Sequence, residues 1–371
     1  MRISEVTAVH VAARLREGLG ASNRRPPLQV RQSLVVRMTT DDGLVGYGEC
    51  SGPPAVLSAA VNHLAPTVLG ADLRKRNLLV TGLMARALEE GPGGLLVAAT
   101  GGIDIALWDL SAKALGVSLS TLLGGAVKTQ VPVYAASIYL SPLDQAVQIA
   151  RQFVSRGFHG LKIKVGLGVD DDLARVARIR EAVGPDISLL LDANCAFDVK
   201  SAIALARRCA EYNISWFEEP VPAHDLEGCR AVRRAVLMPV AAGENLHARH
   251  GFEPWLTRRA VDVAMPDLGR CGGLTEAIAV ASMARACGIA ISPHCWGSSV
   301  ALAASVQLAA VLPHCRVLEY DAHPDPVRDA LIGEALTPQA GAMTVPDRPG
   351  IGIEVREDAL RELAISGASA G

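Results

Sequence analysis

The chain has 371 residues with 36 basic and 38 acidic side chains; half of its residues are hydrophobic and a fifth are charged. A formal charge of −2 excludes a protein that works by coating phosphates, so nucleic acid is not an expected partner. The composition excludes disorder as the main state, and the length suits about two domains or one large barrel with an elaboration.

The opening stretch MRISEVTAVHVAARL carries Glu5 and alternates apolar with polar residues, as a strand does. A secretory leader would show a basic patch and then an unbroken apolar run, so the protein reads as unexported. Strands are predicted over Ile3 to Val11, Gln29 to Thr39 and Leu44 to Glu49, the last two joined by an Asp41-Asp42-Gly43 turn. From Ser58 the pattern is helical. Ala99 to Leu115 puts Ile103, Leu107 and Leu110 on one face, with Gly116 as a C-terminal stop. The most apolar run, Leu95 to Ile103, ends at Asp104 after nine residues, about half of the ~18 a membrane span needs, so no membrane anchor is expected. Residues 1–125 thus form an α+β region.

From Val131 short β-rich runs alternate with Ala/Arg-rich helical stretches: VPVYAAS, GLKIKV, ISLLLDA, ISWFEE, PVAAGE, VDVAMPD, IAISPH and RVLEY. Eight strands with helices between them predict a (β/α)8-type barrel over residues 126–340. A doubly wound open sheet is the alternative, but no GxGxxG opens any helix. The last segment, 341–371, reads as a strand and a short helix returning to the first region. Eight cysteines, none in a CxxC pair and most in predicted helices, suit reduced thiols in the cytoplasm.

Polar residues recur where these strands stop: Lys164, Asp192, Glu218, Glu244, Asp267, His294 and Glu319, at intervals of 28, 26, 26, 23, 27 and 25 residues. Each interval is the length of one βα unit, so a barrel would collect all seven at its C-terminal mouth, the face where such enzymes carry their sites. A single acidic residue at a strand end is more often a helix cap or a surface ion pair; a periodic set of seven is not. Strand alternation points Lys162 and Lys164 the same way, into the barrel, and turns Glu219 away from Glu218. Asp192, Glu218 and Glu244 end consecutive strands, and three converging carboxylates call for a cation. An all-oxygen donor set without Cys or His favours Mg²⁺ over zinc. Asn194, two residues past Asp192, is placed to assist. A lone His294 would more often be a satisfied core histidine, but Asp267 on the neighbouring strand could hold its imidazole in one tautomer.

With these motifs in place, the sequence resembles the enolase superfamily, specifically its mandelate racemase subgroup. The likeness runs from SLVVRMTTDDGLVGYGEC through GGIDIALWDLSAKALGVSLSTLLGG to RPGIGIEV. It implies a modified (β/α)7β barrel under an α+β capping domain built from both chain ends. It further implies a small carboxylate substrate, Mg²⁺ and a homo-oligomer. By resemblance, LKIKVG supplies Lys164 as base with Lys162 beside it, and DAN, WFEEP and GEN supply the metal ligands Asp192, Glu218 and Glu244. MPD and SPH supply the Asp267 and His294 dyad, and LEY supplies Glu319 as a contact to the substrate carboxylate. The implied chemistry is abstraction of a proton α to a carboxylate, giving an enediolate.

Specificity in such proteins comes largely from a capping loop, which falls here near Leu15 to Leu28 and offers Ser22, Asn23, Arg24 and Arg25 but no aromatic residue. Polar and cationic groups suit a polyhydroxylated or diacid substrate, with Arg24 and Arg25 as contacts. FHGLKIKVGLGVDDDL, AVDVAMPDLGRCGG and SPHCWGSSVALAA are similar to the galactarolactone cycloisomerases of the subgroup, which also carry a Trp or His at the positions of Trp296 and His247. The implied reaction is β-elimination on an acid sugar or its lactone. An acid-sugar dehydratase, a racemase or epimerase, and a non-catalytic metal-binding barrel are the alternatives in that order.

Overall fold

The computed structural model describes residues 1–23, 25–91, 93–333 and 336–365. Three antiparallel strands open the chain: β1 (Ile3–Leu19), β2 (Leu28–Thr40) and β3 (Val45–Cys50), in that spatial order. β1 runs eight residues beyond the predicted Val11. Most of its far half is exposed or half-buried, because there it forms a ribbon with β2 alone, and a ribbon with little core beneath it carries no clean alternation. The capping loop is therefore a turn at the tip of this ribbon, between Leu19 and Leu28.

The helix read as one-faced spans Leu95–Ala114 and is buried nearly all round. Ile103, Leu107 and Leu110 pack with β2 and the first helices, while Ile105 and Trp108 join the core that fills the rest of the molecule. Gly102 lets β3 lie directly on it: a β-carbon on the facing Gly48 would fall on the Gly102 carbonyl. Among the described residues this is the one helix long and apolar enough to cross a membrane, and 83% of its most apolar window is buried in the fold.

Within that helix Asp104 is fully buried and accepts from the Thr275 amide at 2.9 Å and the Thr275 hydroxyl at 2.6 Å. Burial raises its pKa to about 7, with Thr275 and Arg76 opposing. A carboxyl that keeps its proton longer when folded loses stability as pH rises from its unfolded value near 4 up to about 7, and no further above. The native protein should therefore lose about 3 kcal/mol between pH 5 and pH 8 relative to Asp104→Asn, whose amide can still accept one bond and donate the other. Urea midpoints at the two pH values check this; parallel shifts in both proteins would refute it.

All eight predicted barrel strands are present: β4 (Gln130–Ile138), β5 (Gly160–Lys164), β6 (Ser188–Asp192), β7 (Ile214–Glu218), β8 (Val240–Ala242), β9 (Val263–Ala264), β10 (Ala290–Ile291) and β11 (Leu318–Asp321). They form one parallel sheet in the order β10-β9-β8-β7-β6-β5-β4-β11, and a bridge between Ile291 and Cys315 brings the two ends together. Side-chain alternation does the rest. Tyr134, Leu190, Trp216 and Met265 plug the interior, while Leu161, Ile163, Leu189, Leu191 and Phe217 face the surrounding helices.

The chain's last strand, β12 (Ala342–Thr344), pairs antiparallel with β4 and so extends the barrel sheet instead of joining the cap. The return to the first sheet comes later, where Ala364 bridges Val11 of β1. All eight cysteines are free thiols and six are buried. Only Cys229 and Cys271 lie within helices; the others sit in β3, at helix ends or in loops.

Candidate active site

The C-terminal ends of the parallel strands collect the seven residues singled out by their spacing. Lys162 and Lys164 both point inward and are buried. Lys162 Nζ lies 2.9 Å from Glu218, 2.6 Å from Glu319 and 3.4 Å from Asp192. Lys164 Nζ pairs with Asp192 and donates to Asn194 Oδ1 at 2.8 Å, and the Asn194 amide donates back to Asp192 at 2.9 Å. Across the mouth, on the strand four places beyond β6, His294 Nδ1 bonds Asp267 at 2.7 Å, while its Nε2 faces Glu244 at 3.3 Å and Glu319 at 3.7 Å. Glu319 also accepts from the Cys295 amide at 3.2 Å. Glu219 turns the other way, where Asn245 Nδ2 donates to it at 2.5 Å.

Asp192, Glu218 and Glu244 are buried and offer oxygens within 4.8 Å of one another. The lysines reach this cluster, which spacing alone left open. Even so, five carboxylates here face two ammonium groups and one imidazole, an excess of two or three negative charges. Asp192, with both lysines against it, is held below the usual carboxylate range despite its burial. Glu218 is pushed up to about 8, by burial first and then by the like charges of Asp192, Glu319 and Glu244, although Lys162 opposes. Burial also opposes a charge on His294, yet Glu244, Glu319 and Asp267 outweigh it and raise the imidazole to about 10. A buried carboxyl driven toward neutrality by its like-charged neighbours is what a small divalent cation relieves, and an all-oxygen set fits a hard one.

A cavity of about 190 Å³ opens onto these groups, lined among others by Lys164, Asn194, Glu244, His294, Trp296 and Glu319. That is small for a ligand site and suits a compact substrate. Of the two arginines expected here, Arg25 forms part of the wall, its guanidinium 4.2 Å from the Trp296 ring centre; Arg24 lies outside the described residues. Arg31, paired with Asp321, lies 5.2 Å from the same ring. His247 is not among the residues lining the cavity.

Sequence reasoning missed Ser137, Tyr139, Ser51, Asn245 and Arg270, which also line it. Ser137 was within reach: it precedes Lys164 by 27 residues and extends the periodic series by one strand, but it carries no charge. Ser51 comes from the cap, just past β3, and its hydroxyl lies 3.3 Å from Asp267 Oδ2.

Comparison with known proteins agrees with this geometry. Residues 5–124 match the mandelate racemase / muconate lactonizing enzyme N-terminal domain, and residues 145–359 match the enolase C-terminal domain-like model. The chain belongs to the mandelate racemase/muconate lactonizing enzyme family. It is thus an enzyme of the enolase superfamily, with the barrel and capping sheet expected of one. It is 40% identical over 344 residues to the D-galactarolactone cycloisomerase of Agrobacterium fabrum (strain C58 / ATCC 33970), covering 90% of this chain and 91% of that one. The 3,6-anhydro-D-galactonate cycloisomerase from Zobellia galactanivorans superposes with a TM-score of 0.91 at 33% identity, over 99% of this chain and 100% of that one. A racemase from Streptomyces coelicolor A3(2) with bound magnesium superposes at 0.90 with 29% identity, over 98% and 100% of the two chains.

Proposed function

We propose that this enzyme is an Mg²⁺-dependent cycloisomerase of acid-sugar lactones, with residues 1–125 as the cap and the barrel running from residue 126 through β12, before the chain returns to the first sheet at Ala364. The observation that carries the reading is the facing pair, Lys164 and His294, across a small cavity beside three carboxylates, with Arg25 on its wall. Likeness to two cycloisomerases over nearly the whole chain supports the substrate class.

Asp192, Glu218 and Glu244 would hold Mg²⁺, which when bound supplies Lewis acidity toward the substrate carboxylate. Lys164 Nζ takes the proton α to that carboxylate. The bond from the β carbon to the lactone oxygen then breaks, and its electron pair leaves with the oxygen as a new carboxylate. A proton returns to the β carbon, so that enol becomes keto acid and no atom is gained or lost. His294 stands on the opposite side to deliver it, its Nδ1 fixed by Asp267 so that Nε2 faces the cavity. Lys162 joins β5, β6, β7 and β11 through Asp192, Glu218 and Glu319 and holds their ends in register. Free, mostly buried thiols are in keeping with a reducing cytoplasm as its compartment.

The test is incubation with Mg²⁺ in D2O across aldaric, aldonic and uronic acids and their lactones, followed by proton NMR. A keto acid formed from a lactone in one stereochemical series, isomeric with it apart from solvent deuterium, is the expected product. Loss of water would make the enzyme a dehydratase, and α-exchange without a new product would make it a racemase or epimerase.

A further inference from the structure

The turn at the tip of the β1–β2 ribbon is hydrogen-bonded to the strand ends of the barrel by the Asn23 side chain, beside the Arg25 guanidinium on Trp296. Asn23 Nδ2 donates to the carbonyl of Val165 and, at 2.8 Å, to the carbonyl of Ala193. These carbonyls lie one residue past Lys164 on β5 and one past Asp192 on β6, so a single amide bridges the ends of the strands that carry them. The seat is built to receive it. Gly166 has φ +128°, and a β-carbon there would land on the Asn23 amide. From the other side the buried Asp172 accepts from the amides of Gly166, Leu167 and Gly168 and fixes that loop. The turn itself is closed by Ser22 N to Arg25 O at 3.0 Å and Arg25 N to Ser22 O at 3.2 Å, and its entry is tied by Leu140 N to Ala21 O at 2.9 Å. Ser22, Arg25 and Leu28 of this ribbon tip face the cavity, so whatever seats the turn sets their distance from Lys164.

We propose that Asn23 is a positioning residue that locks the capping ribbon onto the β5 and β6 ends and so holds its substrate-facing side chains in place. A seat of this kind acts on binding. When it is lost, the competent arrangement is only part-populated and substrate must restore it, which raises KM in proportion while the closed complex turns over as before. Damage to the strand ends would instead lower kcat through Lys164.

The experiment compares wild type with Asn23→Ala and Asn23→Asp, the latter nearly isosteric but unable to donate. Hydrogen exchange at the amides of Ser22, Arg25 and Leu140 is expected to quicken about tenfold in both variants with melting temperature unchanged within about 2 °C. On the lactone substrate KM is expected to rise about tenfold with kcat within about threefold. The kinetic arm rests on the cycloisomerase reading; the exchange arm does not, so an inactive preparation leaves the seat still decided by exchange. Unchanged exchange in both variants overturns the proposal. So does faster exchange with unaltered KM, or a fall in kcat at constant KM.

Discussion

Lys164→Ala is expected to lower kcat by about 1,000-fold or more and to abolish deuterium exchange at the α carbon, because no other base faces that side of the cavity among its described lining residues. His294→Ala is expected to keep α-proton loss and ring opening, because the carboxylate leaves without an acid, but to release the enol, so that deuterium enters the β carbon without stereochemical preference. The pair of outcomes separates the two roles in a way that loss of activity alone does not. Both variants should remain folded. Asn194 keeps an acceptor of its own at Asp192, and Asp267 keeps the Ser51 hydroxyl at 3.3 Å. Product formation by Lys164→Ala, or ring opening lost equally in both variants, would reverse or dissolve the assignment.

The residues of this site were legible wherever one strand and one helix repeat. Intervals of 23 to 28 residues located Lys164 through Glu319 because each βα unit returns the chain to the same end of the barrel. Alternation separated Glu218 from Glu219, and the structure places one in the carboxylate cluster and the other on Asn245. What the pattern could not show is contact across unrelated parts of the chain. Asn23 meets Val165 from 142 positions away, and Ser51 meets Asp267 from 216; no local periodicity encodes either. The same limit explains the ribbon. Its far half lies mostly at the surface on both faces, so β1 ends at Leu19 without the hydrophobic alternation that marks its beginning. The Leu95–Ala114 helix begins four residues ahead of the predicted Ala99. Its Gly101 and Gly102 are where the Leu268 to Gly273 segment and β3 come too close for larger side chains.

The second large effect concerns Glu218. In the free protein its carboxyl is raised to about 8 by burial and by three neighbouring carboxylates, so below that pH it is mostly protonated. A metal ligand must be ionised, and binding of Mg²⁺ should therefore expel a proton. The sign follows directly: affinity tightens as pH rises, by up to about tenfold per unit between pH 6 and pH 8, and levels off above. Glu218→Gln removes both the charge and the proton, so its affinity should fall about 100-fold at pH 8 and lose most of its pH dependence. Calorimetric titration with Mg²⁺ in two buffers of different ionisation enthalpy counts the released protons, about one for the wild type at pH 7 and close to none for the variant. A pH-independent affinity with no proton released would mean that Glu218 is already ionised against Lys162, 2.9 Å away, and that the carboxylate cluster holds its charge without a cation.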